Sequence, residues 1–135
     1  MLDEISEAIL AILREDPTLS TSIKAWFKGV PSRFERYPYL AVIWSGGDLT
    51  FNGKVSVYEN DFEVIIVDLK PKAEDAEESV MKLSEAAYEA LAKNHKLNGT
   101  VDDSRVVRWD SEGLATEKGS LRGARLILRA VKLLV

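Results

Sequence analysis

The stretch that decides the fold covers residues 62–93 and reads FEVIIVDLKPKAEDAEESVMKLSEAAYEALAK. Its opening residues, 62–69, form a short apolar run rich in branched side chains, which predicts a central strand. From Ala73 to Lys93 apolar residues recur at helical spacing, with acids in the first turn and a base in the last, as the helix dipole favours. The apolar stripe consists of Ala76, Val80, Leu83, Ala87, Ala90 and Leu91. The stretch therefore predicts a strand followed by one long amphipathic helix that lies on a sheet.

The chain upstream of this stretch predicts a short helix and two more strands. Apolar side chains recur at helical spacing in residues 2–13, and the Asp16-Pro17 step ends this first helix. The segment STSIKAWFKGVP, residues 20–31, alternates in a way that predicts a strand. Residues 39–44 are a compact branched and aromatic run, which is typical of a buried strand.

Between residues 45 and 61 the sequence predicts two breaks in the strands, a loop and then a turn or bulge. The segment SGGDLTFNG, residues 45–53, contains two glycine steps and is predicted to be a loop. The apolar face switches between Val57 and Phe62, so we expect a turn or bulge at residues 59–61.

The C-terminal third continues the sheet. Residues 100–109, TVDDSRVVRW, predict a strand, and residues 110–119 predict a loop. The final segment, residues 120–135, alternates as a strand does, but its leucines would also fit one face of a helix. Because the strands cluster instead of alternating with helices, we predict a single α+β domain, residues 1–135, with a mainly antiparallel sheet.

Composition narrows the class of protein. Of the 135 residues, 46% are apolar and 30% are charged, as in ordinary globular proteins. No apolar run approaches the ~20 residues that a membrane helix needs, and the charged start is unlike a secretory signal. We therefore expect a soluble protein with no membrane partner. The absence of cysteine excludes disulfides, thiolate catalysis and cysteine-based zinc sites.

The charges are unevenly distributed along the chain. The net charge of −4 argues against a general nucleic-acid binder. However, residues 1–16 carry mainly acids, residues 20–40 carry mainly bases, and residues 120–135 carry bases alone. A chain with oppositely charged regions can dock on copies of itself as readily as on a foreign polyanion.

The segment LAKNHKLNGTVDDSRVVRW, residues 91–109, gathers the polar groups that most suggest chemistry. His95 is the only histidine, so no histidine pair can be built, and we expect it to stand at the negative end of the helix. Asn94 is expected to take the left-handed conformation that closes the helix, Leu97 to enter the core, and Thr100 to begin the next strand. Asp102-Asp103 lacks the spacing of a calcium loop. We predict no catalytic residue, no cofactor and no metal site.

A basic and aromatic segment, residues 24–39, allows three interpretations. It could form a platform for single-stranded nucleic acid, with bases stacked on its aromatic rings. It could instead be a strand and loop whose aromatic residues enter the core. We favour the third interpretation, a contact surface between subunits, where aromatic residues and arginine are over-represented.

The order of these signals resembles the tail-terminator, or tail-completion, proteins of long-tailed bacteriophages and related proviruses. The likeness rests on a short N-terminal helix, on RYPYLAVIW (36–44), on YENDFEVIIVDLK (58–70), and on the long helix running into HKLNGTVDD (95–103). The family's closing hairpin favours a strand for residues 120–135.

The resemblance implies a non-enzymatic assembly protein. Members of this family form a ring, typically of six copies, that caps the tail tube and presents a surface for joining the head. The implied partners are copies of the chain itself, a tail-tube protein and a head-completion or connector protein. The implied location is the virion, or the host cytoplasm during assembly. The alternative is a module that binds nucleic acid or a small ligand through residues 24–39.

A ring needs two different complementary surfaces on each subunit. From charge, we expect the first helix and the acidic face of the long helix to meet basic residues of a neighbour. Residues 46–53 and 110–119, as predicted loops, are candidates for facing the tube or the head. The candidate interface residues are Lys24, Trp26, Lys28, Arg33, Arg36, Asp48, Glu112, Glu117, Arg125 and Arg129.

Overall fold

The computed structural model describes residues 1–32 and 36–134 of the chain, apart from the side chain of residue 52. The elements are α1 (Leu2–Glu15), α2 (Pro17–Ser22), β1 (Ala25–Lys28), β2 (Tyr39–Asn52), β3 (Val55–Lys70), α3 (Ala73–Lys93), β4 (Asp103–Thr116) and β5 (Gly119–Leu134). The described residues form a five-stranded sheet in the order β1-β2-β3-β5-β4. Only β1 and β2 pair in parallel, and the other pairs are antiparallel. The predicted α+β class with a mainly antiparallel sheet is confirmed.

The helices lie on one face of the sheet, which we call the helix side. α1 contacts β1 and β2, whereas α3 contacts β3, β4 and β5. Alternate residues of the strands point into this layer, because successive side chains of a strand face opposite ways. The resulting core includes Ile9, Leu13, Leu19, Leu40, Phe62, Val64, Ile66, Leu83, Leu91 and Leu126. The apolar stripe predicted for α3 is buried apart from Ala90, which is half-buried.

The start of the sheet differs from the prediction. The first helix ends before Pro17 as expected, but Pro17–Ser22 forms a second helix where residues 20–22 were predicted to be extended. The Asp16 carboxylate accepts a hydrogen bond from the Leu19 amide at 3.0 Å and so caps α2. Proline is well suited to the first position of a helix, since it lacks the N–H that would be unpaired there. β1 is consequently only Ala25–Lys28.

The predicted loop at residues 45–53 is wrong, because β2 continues to Asn52 and pairs with β3 along its length. The predicted turn or bulge at residues 59–61 is also wrong: the register shift lies in β2, between Trp44 and Gly46, and β3 is continuous. Gly46 takes a φ of 121° at this shift. The apolar face changes along β3 because its first five residues are half-buried on both faces, so burial does not dictate there which face is apolar.

The predicted loop at residues 110–119 is wrong for the same reason. β4 and β5 pair from Asp103 to Thr116, and only Glu117 and Lys118 form the turn. The sequence looked like a loop because its side chains are polar, and the structure leaves most of them exposed on an outer strand. The last segment is strand β5, as the resemblance implied.

The segment between α3 and β4 places its left-handed residues later in the chain than predicted. α3 covers Ala73–Lys93 as predicted, but Asn94 has a φ of −132° and is not left-handed. Leu97 and Asn98 take the left-handed conformation instead, with φ of 47° and 57°. Leu97 is fully buried, which confirms its predicted place in the core. β4 begins at Asp103 and not at Thr100.

Candidate interaction surface

The sheet face opposite the helices, which we call the open face, has no layer of described residues over it. Its apolar half lies on β1, β2 and the end of β3, where Tyr39, Ala41 and Val67 are buried against half-buried neighbours such as Phe27 and Ile65. The rings of Phe27 and Tyr39 meet edge to face with centroids 5.8 Å apart. Burial raises the pKa of the Tyr39 hydroxyl. Local packing between the strands holds this half together.

The charged half of the open face lies on β3, β4 and β5. Arg125 donates to Glu63 and to Asp110, both at 3.0 Å, and so links three strands. Asp110 also accepts from Arg108 at 2.8 Å. The hydrogen bond from Arg125 lowers the pKa of Asp110 and in turn raises the pKa of the guanidinium. Its Nε is buried and makes no hydrogen bond with the described residues.

A second ion pair lies further along the same face. Arg129 donates to both carboxylate oxygens of Asp61, at 2.9 and 3.2 Å. This two-point contact raises the pKa of Arg129, and the charges of Glu59 and Asp48 add to the effect. Bidentate arginine–carboxylate pairs fix orientation as well as charge. β3 and β5 are therefore joined by two ion pairs on the open face, Arg125–Glu63 and Arg129–Asp61.

A groove of about 830 Å³ lies between the two halves of the open face. Tyr39, Ile65 and Val67 form part of its apolar lining, while Glu63, Arg125 and Asp110 supply charge. Gly123 belongs to the lining as well and adds no side chain to the groove. Because its lining is both apolar and charged, the groove is suited to binding a protein surface or an extended polypeptide segment.

Large apolar side chains are exposed along both long edges of the sheet. On β2, Trp44 is 51% exposed and Phe51 is 70% exposed. The Trp44 indole donates to the Asn60 side chain at 3.1 Å, so its orientation is fixed although half of it faces solvent. On the β4 side, Trp109 stacks on Tyr88 of α3 with centroids 5.5 Å apart, and both rings stay partly exposed. Exposed apolar groups that are gathered and oriented mark interaction sites.

The sequence-based candidates did not include these aromatic residues. The sequence predicts Trp44 and Trp109 each at the end of a strand, and it predicts Phe51 in a loop. The alternation of Leu49 and Phe51 with polar neighbours was the available signal that β2 continues to Asn52. The stacking of Trp109 on Tyr88 carried no sequence signal, because it joins residues from two separate elements.

The predicted interface residues lie in several separate parts of the structure. Lys24 and Arg36 are exposed near the start of β1, and Trp26 packs against the core with the Arg14 guanidinium 5.5 Å from its ring centre. Arg125 and Arg129 lie on the open face, and Asp48 is exposed on β2.

The acids of the second predicted loop, Glu112 and Glu117, lie on β4 and in the β4–β5 turn. Arg33 lies outside the described residues. Their intersubunit role stays a prediction.

Three of these cations already have partners within the chain. Lys28 donates to Asp3 at 2.6 Å and to Glu7 at 2.7 Å, and so joins the end of β1 to the first two turns of α1. Its contact lowers the pKa of Asp3. Arg125 and Arg129 are held in the pairs described above. Pairing of a basic residue with the acidic first helix was expected between two subunits. At Lys28 the structure forms it within one subunit.

The aromatic residues of segment 24–39 that the structure describes are packed against neighbours. Trp26 joins the helix-side core, and Phe27 and Tyr37 each contact the Tyr39 ring on the open face. A nucleic-acid platform needs exposed ring faces. This packing does not favour the nucleic-acid interpretation of the segment.

The polar cluster around His95 is a structural link between α3 and β4. The His95 ring lies 2.9 Å from a carboxylate oxygen of Asp103, whose pKa this contact lowers. Asp102 accepts a hydrogen bond from the Leu133 amide, which attaches the same turn to β5. Within residues 1–32 and 36–134, no three histidine, aspartate or glutamate side chains are grouped as a metal site. No helix of the described chain is long and apolar enough to cross a membrane.

Comparison with known proteins gives a likeness at the level of fold. No family model matches the sequence, and no curated protein matches it. A solved structure titled "Virion of native gene transfer agent (GTA) particle" contains a chain that is 18% identical to this one, with a TM-score of 0.60. The match covers 93% of this chain and 92% of that chain. The two chains therefore share their fold over nearly their whole lengths.

Proposed function

We propose that this protein is a non-enzymatic virion assembly protein of the tail-terminator type. In this role it forms a ring of six copies that caps the tail tube and joins it to the head. The observation that carries the proposal is the fold similarity, over almost all of both chains, to a chain of a gene transfer agent virion. The similarity of the sequence pattern to tail terminators supports the finer assignment.

The surfaces of the chain suit such a role physically. A closed ring needs two different surfaces on each subunit, one at each side. The sheet supplies two uncovered edges that carry exposed apolar groups at opposite sides of the molecule. Its open face offers a groove and oriented charges to a third partner. The tail-tube and head-joining proteins are the partners that we assign to this face and to the strand ends.

The proposal is tested by imaging the purified protein, alone and with the tail-tube protein encoded beside it. We expect rings in negative stain, and tubes that carry one ring at an end and stop growing. A protein that forms no rings and leaves tube length unchanged contradicts the proposal. Salt-sensitive binding to a single-stranded oligonucleotide, lost on Lys24→Glu with Arg36→Glu, would favour the alternative nucleic-acid function instead.

A further inference from the structure

Besides the outer edge of the four-residue β1, two longer strands of the described chain have an edge without a strand partner. β1 pairs with β2 only from Tyr39 to Val42, so β2 is unpaired on that side from residue 43 to residue 52. β4 pairs with β5 on one side alone, so its outer edge is also unpaired. We call these the β2 edge and the β4 edge. Long unpaired edges are sites where another strand can add, and monomeric proteins usually block them.

The two edges have the polarity that lets them meet. Because β2, β3, β5 and β4 are antiparallel in turn, β2 and β4 run in opposite directions. Two copies placed side by side, with their helix sides facing the same way, bring the β2 edge of one copy to the β4 edge of the next in antiparallel orientation. Such a contact uses different surfaces on the two copies and can repeat around a ring.

The helix side of each edge carries an oriented aromatic residue. Trp44 on β2 is opposite the core residue Phe62 and is held by Asn60. Trp109 on β4 is opposite the core residue Leu126 and is held by stacking on Tyr88. Tryptophan that is already fixed in one orientation loses little conformational entropy on binding and often supplies most of the binding energy.

On the open face the two edges carry opposite charges. Asp48 is exposed on the β2 edge, and Arg105 is exposed on the β4 edge. The other described cations of the open face, Arg108, Arg125 and Arg129, all hold carboxylates of their own subunit. Neither Asp48 nor Arg105 forms such an ion pair with another described residue. Asp48 and Arg105 act on Arg129 and Asp103 of their own subunit through space and without a direct ion pair, so each can still meet the charge on the facing edge.

We propose that the β2 edge of one copy binds the β4 edge of a second copy, with Trp44 and Trp109 packed on the helix side and Asp48 facing Arg105 on the open face. The occupant of each edge is therefore another copy of this chain. The inference rests on the proposed ring and names the two surfaces that close it.

Cross-linking between single cysteines tests the contact, since the chain contains no cysteine of its own. Asp48→Cys and Arg105→Cys proteins are mixed and treated with a short bis-maleimide. We expect heterodimers several-fold in excess of those from a control mixture in which Lys93→Cys, an exposed position on α3, replaces Arg105→Cys. The Asp48→Cys plus Arg105→Cys double variant should give a ladder of oligomers. Heterodimer at or below the control yield overturns the inference.

Charge reversal and side-chain truncation give a second readout. Asp48→Arg and Arg105→Asp should each reduce the oligomer fraction in sedimentation velocity, and the double reversal should restore it. Trp44→Ser should reduce it as well, whereas Leu133→Ser, which removes an apolar residue of similar exposure (48% against 51%), should not. Equal losses from Trp44→Ser and Leu133→Ser contradict the proposed role of Trp44.

The results separate this inference from the proposed function. Rings that form without cross-links between positions 48 and 105 leave the function standing and overturn the edge contact. Cross-linked open chains that never close into rings support the edge contact and contradict the tail-terminator function.

Discussion

The two faces of this sheet are made by the same strands, yet they are held together in different ways. On the helix side, Phe62, Val64 and Ile66 of β3 are fully buried among aliphatic residues from α1, α2 and α3. On the open face, Asp61 and Glu63, which alternate with these residues along β3, hold arginines of β5. One strand thus supplies apolar groups to one face and paired charges to the other.

This difference between the two faces assigns folding stability and partner binding to different parts of the sheet. Burial of apolar area against the helices supplies most of the free energy of folding. The open face and the uncovered strand edges add oriented groups that stay accessible, which is what a partner requires. We therefore expect substitutions on the helix side to unfold the protein, and substitutions at the edges to change its assembly.

The largest effect is expected from a cavity on the helix side. Ile66→Ala removes a side chain that is 0% exposed and should lower the free energy of unfolding by about 2–5 kcal/mol. Ile65→Ala, the neighbouring position on the open face, is the matched control and should cost clearly less, since Ile65 is only half-buried. Urea unfolding followed by circular dichroism measures both. Equal losses would contradict the difference between the faces.

A smaller effect is expected in the part of β2 and β3 that extends beyond the helices. A Cβ at Gly47 would meet the side chain of Asn60 and lie 2.6 Å from the Glu59 carbonyl oxygen. Gly47→Ala should therefore cost about 1–3 kcal/mol and loosen the Trp44 indole, because Asn60 holds it. Hydrogen exchange of residues 47–60 and Trp44 fluorescence report both changes.

The control for this substitution is Gly123→Ala on the open face. A Cβ there comes no closer than 3.6 Å to its nearest neighbour, the Val67 side chain, so the alanine should be tolerated. If Gly47→Ala is as well tolerated as Gly123→Ala and leaves the Trp44 fluorescence unchanged, then Asn60 does not hold the Trp44 indole in place.

A pH-dependent effect is expected from the charged half of the open face. Arg125→Met leaves Glu63 and Asp110 without their shared cation and should lower stability at neutral pH. Because Arg125 lowers the pKa of Asp110 below its ordinary 3.8, this stabilisation is complete above that pH and is lost as the pH falls through the lower folded-state value. Urea midpoints of both proteins from neutral to acid pH should converge in acid. A constant difference would contradict the ion-pair account.

The smallest effect is expected at Lys28. Lys28→Met breaks the contacts with Asp3 and Glu7, which are exposed and screened by salt. We expect faster hydrogen exchange in the first turns of α1, no change in ring formation, and little loss of stability. Loss of rings with unchanged exchange in α1 would instead support the intersubunit role that the sequence suggested for this residue.

Much of the fold could be predicted from the sequence, because an element that buries one face has apolar residues at regular helix or strand spacing. The limits of α3 followed from its apolar stripe, and the central strand followed from its branched run. The lengths of β2 and β4 could not be found in this way. Most of their outer residues are exposed on both faces, so polar side chains and glycines interrupt the periodic pattern. Only the short alternation of Leu49 and Phe51 in β2 indicated an extended strand, and the pairing with β3 and β5 is what makes these segments strands.

The candidate surface was predictable only in part. Charge alone pointed to Asp48, Arg125 and Arg129, but it could not show that both arginines are bound within the subunit. The Trp44–Asn60 and Tyr88–Trp109 contacts join residues far apart in the chain, so no local pattern contains them. Which edge is left unpaired depends on strand order, and strand order is a property of the whole sheet.

The mass of the wild-type protein in solution tests the central claim most directly. Native mass spectrometry over a concentration series should give a closed oligomer of six copies, with no larger species that grow with concentration. A monomer at every concentration that also fails to form rings with the tail-tube protein would contradict the account.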